Sequence, residues 1–118
     1  MSLIKSISGI RGTIGGRVDE NLTPLDVVKF SSAFGTWLQN KKGKKALSLV
    51  IGRDARISGQ MVSALVSATL QGLGINVIDL GLSTTPTVEV MVPELKADGG
   101  IILTASHNPK QWNALKLL

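Results

Sequence analysis

The sequence predicts an α/β fold, a three-layer α/β/α domain around a mostly parallel (mixed) sheet of about four strands. Two observations predict it. From residue 46 onward, short apolar runs at 46–51, 75–79 and 99–103 alternate with longer segments of helical periodicity. The connections between them are short, and right-handed crossovers would place the helices on both faces of the sheet.

Length and composition restrict the class of protein. The chain has 118 residues, 43% of them hydrophobic, which is enough for one core and too little for two ordinary domains. No apolar run approaches the roughly 20 residues that cross a bilayer, and the N-terminus lacks the apolar region of a secretion signal. We therefore expect a cytoplasmic location and no membrane partner. The absence of Cys excludes disulfides and thiolate metal sites, and it fits a reducing compartment.

The formal net charge is +5, and lysines around Gly43 carry much of it. They are Lys41, Lys42, Lys44 and Lys45. Such a run between a helix and a strand is typical of a solvated surface. The chain has no Tyr and only 3% aromatic residues, so it offers few rings on which bases could stack. We therefore expect no nucleic-acid partner.

Residues 5–17 combine several glycines with Arg11. The glycines are Gly9, Gly12, Gly15 and Gly16. Glycines at this density permit positive φ and let a ligand approach backbone N–H groups, and a guanidinium suits phosphate. The segment predicts either an anion-binding loop or a flexible, turn-rich arm, and its residues alone favour neither.

The first helix is predicted to begin with Thr23 as N-cap, Pro24 at the first helical position and Asp26 near the positive end of the dipole. An apolar stripe follows and is expected to face the core. Its members are Val27, Phe30, Phe34 and Trp37. Gly43 is the expected end of this helix.

The predicted strand at 46–51 leads into a polar loop at 52–59. Open α/β sheets bind ligands beyond the carboxyl ends of their strands, so Arg53 and Arg56 are candidate anion-binding residues, with Asp54 able to hold one guanidinium. A surface ion-pair loop of little energetic value is the structural alternative. Ser58 is the expected N-cap of the second helix.

A strand at 75–79 is predicted to lead through the loop 80–86 into a third helix, which should start at Thr85-Pro86. Pro93 falls inside this helix. Because Pro lacks an N–H and clashes with the preceding turn, a kink or break is expected there.

The strand at 99–103 should deliver the stretch Thr104-Ala105-Ser106-His107-Asn108-Pro109 to the edge of the sheet. The Ser106 hydroxyl is a candidate nucleophile, and its neighbour His107 is the only His in the chain. A base must reach the hydroxyl within about 2.6–3.2 Å, but adjacent side chains in extended chain point to opposite sides. His107 is therefore not expected to activate Ser106. A capped turn without chemistry is the structural alternative.

Loops that follow parallel strands meet at one edge of a sheet. Residues that could share a crevice there are Arg53, Arg56, Thr85, Ser106 and His107. No G-x-G-x-x-G follows a strand, which disfavours a dinucleotide site, and the eight acids are too scattered to form a carboxylate cluster for Mg²⁺. The last four residues, 115–118, are expected to begin a further strand.

Four segments resemble, in order, motifs of the first domain of the α-D-phosphohexomutases, which include phosphoglucomutase, phosphomannomutase and phosphoglucosamine mutase. They are Ser8 to Gly12 (the N-terminal arm), Gly52 to Gly59 (G-R-D-x-R-x-S-G), Thr85-Pro86 (the T-P turn) and Thr104 to Pro109 (T-A-S-H-N-P). The resemblance covers nearly the whole chain. It implies that residues 1–118 are domain I, the catalytic phosphoserine domain, and a fragment of a multi-domain enzyme.

The resemblance implies that Ser106 is a phosphoserine that donates its phosphoryl group to one hydroxyl of a hexose monophosphate. The bisphosphate then turns over and returns its other phosphate to the serine, which moves phosphate between C1 and C6. The full-length enzyme would be an intramolecular phosphotransferase, an isomerase, with a phosphosugar substrate. A phosphoryl relay of this kind needs no triad base.

The resemblance also implies roles for the residues around Ser106. His107 and Lys116 would lie beside the reacting hydroxyl, in proton transfer and charge stabilisation, and Arg11 would complete the basic surround. Support for the phosphate or the substrate loop would come from Gly12, Arg53, Asp54, Arg56 and Asn108. One Mg²⁺ would be bound by Ser106, through its phosphate, and by three aspartates of a second domain outside this chain.

One position departs from the family pattern. Where the family commonly has N-G-x-K, this chain has Asn113-Ala114-Leu115-Lys116. Ala takes positive φ only at a cost of about 1–2 kcal/mol, so we expect a different turn after Asn113 and an altered orientation of Lys116.

An interpretation without catalysis stays open, in which the chain is a phosphosugar- or anion-binding module that keeps the loops and lacks the chemistry. If the chain is part of an enzyme, the downstream domains are partners of this one, because they carry the metal-binding and sugar-recognition segments. The isolated 118 residues are then expected to be inactive.

Overall fold

The computed structural model describes residues 4–6, 9–16, 21–44, 46–55, 58–104 and 112–117. Strands and helices follow one another along this part of the chain. In order they are β1 (Ile4–Ser6), β2 (Gly9–Thr13), α1 (Pro24–Lys42), β3 (Ser48–Arg53), α2 (Gly59–Gly72), β4 (Asn76–Leu82), α3 (Thr85–Glu94), β5 (Gly99–Leu103) and β6 (Trp112–Leu117).

The strands form a single mixed sheet with the order β1-β2-β6-β5-β3-β4. β3 pairs in parallel with β4 and β5, whereas β6 pairs antiparallel with β5 and β2, and β2 antiparallel with β1. The α/β class is confirmed, but the described residues alone form a sheet of six strands where the sequence predicts about four. The additional strands, β1 and β2, come from the N-terminal segment around residues 5–17, for which the sequence predicts a loop or an arm.

The helices cover the sheet on two sides. α1 packs on α2, α2 lies against β3, β4 and β5, and α3 packs on β3 and β5. The larger core cluster joins α1 and α2 to one face of the sheet and includes Leu49, Val66 and Leu103, all fully buried. A smaller cluster under α3 contains Val50, Val88 and Ile102. Alternate residues of β3 and β5 therefore enter different clusters, as the period of a strand requires.

The start and the end of α1 confirm the prediction. Thr23 and Asp26 cap each other, since the Thr23 side chain accepts from the Asp26 N–H and the Asp26 carboxylate accepts from the Thr23 N–H. Gly43 ends the helix in the left-handed conformation, with φ of 69°. The predicted stripe is wrong at one position. Trp37 is 54% exposed, and Leu38 occupies the core in its place.

The other two helices begin where the sequence predicts, α2 after Ser58 and α3 at Thr85, but they differ in how their first turns are capped. Ser58 is the N-cap of α2, but its side chain makes no capping hydrogen bond. α3 is capped by Thr84, whose side chain accepts from the Thr87 N–H, so Thr85 is already inside the helix. Pro93 lies within α3, which ends one residue later, consistent with the predicted break.

The helices of the described ranges show no membrane-spanning character. None of them combines the length and the apolar character that crossing a bilayer requires.

Candidate functional site

The loops after β3, β4 and β5 lie side by side at the carboxyl edge of the parallel strands. The Ser83 N–H, after β4, donates to the carbonyl of Arg53 at 2.9 Å, and the Asp54 N–H, after β3, donates to the carbonyl of Leu103 at 3.1 Å. These two hydrogen bonds join the three loops in one row. The predicted convergence is therefore confirmed for the described residues of these loops.

β5 carries the chain to this edge through the middle of the core. All five residues of Gly99–Leu103 are buried, and Thr104, directly after them, is 9% exposed. The predicted site residues Ser106, His107 and Asn108 follow, but they lie outside the described residues, as does Arg56. The described backbone thus fixes where the chain enters 105–110, which is from the buried centre of the sheet.

Arg11 and Gly12 lie on β2, next to β6. Arg11 is opposite Ala114 of β6, which is one residue beyond the Leu103–Leu115 pair and therefore level with Thr104. Since neighbouring strands lie about 4.8 Å apart, the backbone of Arg11 is roughly 10 Å from that of Thr104. Gly12 is buried, opposite the next residue of β6 towards the same edge.

Lys116 lies on β6, directly beside β5. Its register partners are Ile102 of β5 and Gly9 of β2. The strand rises about 3.4 Å per residue, so the Lys116 backbone is roughly 7 Å below the level of Thr104. The antiparallel pairing of β6 thus places the Lys116 backbone beside Ile102 of β5. One strand further out, the Arg11 backbone is level with Thr104, where the serine loop begins.

The expected turn after Asn113 is wrong. β6 runs straight through Asn113 and Ala114, which pair with Gly12 and Arg11. Ala114 is not among the described residues with positive φ. The extended backbone of a strand accepts Ala as readily as other residues, so replacement of the usual Gly needs no compensating turn.

Arg53 lies at the end of β3, and its side chain crosses the start of α2. A Cβ placed on Gly59, the first residue of α2, would lie 3.5 Å from Cδ and 3.8 Å from Nη1 of Arg53. Arg53 is half-buried there, and Asp54 beside it is also half-buried. A guanidinium next to the positive end of a helix dipole favours an anion at that place.

The described residues do not form a metal site by themselves. Among them no group of three or more His, Cys, Asp or Glu could hold a metal ion. The Mg²⁺ that the family resemblance implies therefore has no ligand set in the described part of this chain.

Gly52, the first residue of the G-R-D-x-R-x-S-G segment, and Ser83 lie at this edge, and neither is among the site residues that the sequence predicts. A Cβ on Gly52 would lie 3.0 Å from the Ser83 Cβ, so the missing side chain allows the loop after β4 to approach β3. An isolated Gly within an apolar strand pattern is a signal of such a close approach. The signal is present in the run of residues 46–53.

The chain matches the family model described as phosphoglucomutase/phosphomannomutase, α/β/α domain I, over residues 3–118. It is 40% identical, over 109 residues, to a phosphoglucomutase/phosphomannomutase of Thermococcus kodakarensis, covering 91% of this chain and 24% of that protein. It is 36% identical, over 118 residues, to a phosphoglucosamine/phosphogalactosamine mutase of Sulfurisphaera tokodaii, covering 100% of this chain and 24% of that protein.

Solved structures agree with these sequence matches. A crystal structure described as a phosphomannomutase from Thermus thermophilus superposes with a TM-score of 0.83 at 32% identity, covering 99% of this chain and 26% of that one. A family protein from Burkholderia thailandensis superposes with a TM-score of 0.75 at 25% identity, covering 93% and 24%. The chain thus spans about a quarter of the length of these relatives.

Proposed function

Because the chain belongs to the phosphoglucomutase/phosphomannomutase family as its α/β/α domain I, we propose that it is the phosphoserine-bearing domain of a phosphohexomutase. The complete enzyme would interconvert hexose 1-phosphate and hexose 6-phosphate through a bisphosphate intermediate. The relatives are named as mutases of phosphoglucose, phosphomannose and phosphoglucosamine, which makes a hexose phosphate the natural substrate class.

The observation that carries the proposal is the position of Thr104, the residue with which the T-A-S-H-N-P stretch begins. It directly follows β5, the strand that is buried along its whole length, at the edge where three loops are joined by backbone hydrogen bonds. A loop that begins at Thr104 is anchored at its first residue to the buried core, and phosphoryl transfer depends mainly on positioning.

The proposed reaction exchanges one phosphate ester for another. The bond from phosphorus to the Ser106 oxygen breaks as a bond from phosphorus to a sugar hydroxyl oxygen forms. The hydroxyl proton leaves to a basic side chain, and the Ser106 oxygen takes up a proton from an acidic group, which restores the serine hydroxyl. His107 and Lys116 would share proton transfer and charge stabilisation. Reversal at the other phosphate, after the bisphosphate has turned over, restores phosphoserine.

The basic residues would offset the charge of the transferred group. Lys116 is on the strand next to β5, Arg11 is one strand further out, and Arg53 is at the end of the strand on the other side of β5. Negative charge spreads over the oxygens of the phosphoryl group during transfer, so positive groups on both sides would lower the barrier. Gly12, Asp54, Arg56 and Asn108 would support the phosphate or the substrate loop.

The family resemblance also implies one Mg²⁺, bound by the phosphate on Ser106 and by carboxylates beyond this chain. When bound, a divalent cation supplies further neutralisation of phosphate charge. The described residues include no group of three or more carboxylates or imidazoles that could bind it. The proposed steps at Ser106, His107 and Lys116 therefore involve side chains of this chain only.

The test uses a polypeptide that contains these 118 residues and has the length of the relatives. Purified enzyme should carry one phosphate on Ser106 by peptide mass spectrometry and convert glucose 1-phosphate, mannose 1-phosphate or glucosamine 1-phosphate to the 6-phosphate. Ser106→Ala should reduce the rate to background. Ser67→Ala, a half-buried serine of α2, is the control and should keep it. Full activity of Ser106→Ala would refute the phosphoserine assignment.

Two further variants test the neighbours of Ser106. His107→Asn and Lys116→Met should each lower kcat by about 10²–10⁴-fold, as expected for loss of a proton-transfer group. A longer protein that binds hexose phosphates without converting any of them would favour the non-catalytic binding module instead.

A further inference from the structure

Gly52 lies where β3 meets both α3 and the loop that leads into it. It is buried, and a Cβ on it would lie 2.6 Å from Cγ2 of Val88 and 3.0 Å from Cβ of Ser83. Optimal contacts between carbon atoms are about 3.5–4.0 Å long. A methyl group at this position would therefore need about 1 Å of movement from Val88 and about 0.5 Å from Ser83.

The two neighbours of Gly52 have little freedom to give way. Val88 is fully buried in the cluster beneath α3, and its branched side chain is stiff at χ1. Ser83 is tied to β3, because its N–H donates to the carbonyl of Arg53 at 2.9 Å. The strain would therefore be relieved by movement of the 83–85 backbone and the first turn of α3.

Gly100, on β5, provides a comparison within the same layer. A Cβ there would lie 2.9 Å from Cγ2 of Val92 and 3.1 Å from Cγ1 of Val88. Gly100 thus also allows α3 to lie close to the sheet. It is at the amino end of β5, however, and Ser83 is not among its nearest neighbours.

We propose that Gly52 is a positioning residue for the phosphoryl-transfer site. Its missing side chain sets the position of Ser83 and the start of α3 against Arg53 at the carboxyl edge of the sheet. Arg53 is one residue from Asp54, whose N–H binds the carbonyl of Leu103, and the serine loop begins just after Leu103. The proposal rests on the proposed function, because the site that Gly52 positions is the phosphoryl-transfer site.

The first test uses the 118-residue chain and needs no catalysis. Gly52→Ala and Gly100→Ala should lower the Tm by similar amounts, since both press a methyl group against α3. Amide hydrogen exchange should separate them. In Gly52→Ala the Ser83 N–H should exchange at least about 10-fold faster relative to the amides within β3, and in Gly100→Ala this ratio should not change.

The second test measures turnover in the longer protein. Gly52→Ala should lower kcat by about 10- to 100-fold with little change in KM, because misplacement by about 1 Å near a reacting centre has effects of this size. Gly100→Ala should keep the wild-type kcat despite its lower Tm. If Gly52→Ala does not fold, the double variant Gly52→Ala/Val88→Ala removes the shortest contact and leaves the one with Ser83.

Rescue distinguishes positioning from general loss of stability. Adding Ser83→Gly to Gly52→Ala/Val88→Ala, in which the Val88 contact is already removed, also removes the Cβ at 3.0 Å and should restore kcat, with Ser83→Gly/Val88→Ala as the reference. Adding Ser83→Ala keeps that Cβ and should not restore it.

The outcomes separate the two proposals. A fall in Tm with unchanged Ser83 exchange and unchanged kcat in Gly52→Ala would overturn the positioning role. If the wild-type longer protein has no mutase activity, the proposed function fails, and unchanged Ser83 exchange in the 118-residue chain would still refute placement of the loop by Gly52.

Discussion

Ser31, in the middle of α1, is a candidate for a stabilising substitution. It is fully buried. Among the buried side-chain polar atoms of the described residues, its Oγ has no hydrogen-bond partner. A buried polar group without a partner costs about 1–3 kcal/mol. Ser31→Ala removes this cost, and Ala is a better helix former than Ser by about 0.5 kcal/mol. Some contact is lost with the oxygen, so we expect the free energy of unfolding to rise by about 1–2 kcal/mol.

Urea unfolding followed by circular dichroism measures this change directly. An unchanged m-value would show that the wild-type chain and Ser31→Ala expose similar surface areas on unfolding. The Tm should rise by about 3–6 °C per kcal/mol for a domain of this size. Ser32→Ala is the matched control, because Ser32 is the next residue of the same helix and is only half-buried. A gain for Ser31→Ala no larger than that for Ser32→Ala would refute the cost assigned to the buried hydroxyl.

Three further substitutions test the local geometry by the same unfolding assay. Lys96 has φ of 53°, so Lys96→Gly should raise stability by about 1 kcal/mol, and a loss would contradict the left-handed conformation. Thr23→Ala should lower stability by about 1 kcal/mol through loss of the N-cap, while Thr23→Ser should retain most of it. Gly35→Ala should change stability by between about 0 and −2 kcal/mol, because its Cβ would lie 2.7 Å from Cδ1 of Leu73 and overpacking costs about 1–3 kcal/mol, of which the better helix propensity of Ala offsets about 1 kcal/mol. Gly72→Ala, with nothing within 4 Å, should not be destabilising.

The parts of the fold that local sequence determines are predicted well. β5 is predicted at 99–103 and is observed at Gly99–Leu103, since a short apolar run bounded by polar residues has few other solutions. The start of α1 is predictable because Thr23, Pro24 and Asp26 each satisfy a separate requirement of a helix N-terminus.

The failures concern contacts between distant parts of the chain. β2 forms a strand because it pairs with β6, about 100 residues later, and no local pattern in a glycine-rich segment reveals such a partner. The same ladder accounts for Ala114, which is extended between β2 and β5 where a turn is expected from the sequence. Trp37 fits the apolar stripe of α1, but its ring stacks on Phe34 and lies under Lys41 Nζ at 4.9 Å, so it covers the core from outside.

The candidate site also has features that the sequence predicts and features that it does not. The meeting of the loops after β3, β4 and β5 is predictable, because parallel strands place their carboxyl ends together. The close approach of Ser83 to Gly52 is not predictable from the sequence, since it depends on how closely α3 packs on the sheet. The roles of Ser106, His107, Asn108 and Arg56 remain predictions, because these residues lie outside the described ranges.

The mixed sheet brings residues that are far apart in sequence onto neighbouring strands, as the proposed phosphate site requires. Parallel strands alone would offer only the loops at their carboxyl ends, which here contribute Arg53 and the stretch after Leu103. The antiparallel strand β6 returns along β5 and carries Lys116 beside it, and β2 then adds Arg11 from near the N-terminus. The proposed phosphate site would therefore draw its basic residues from strands on both sides of β5.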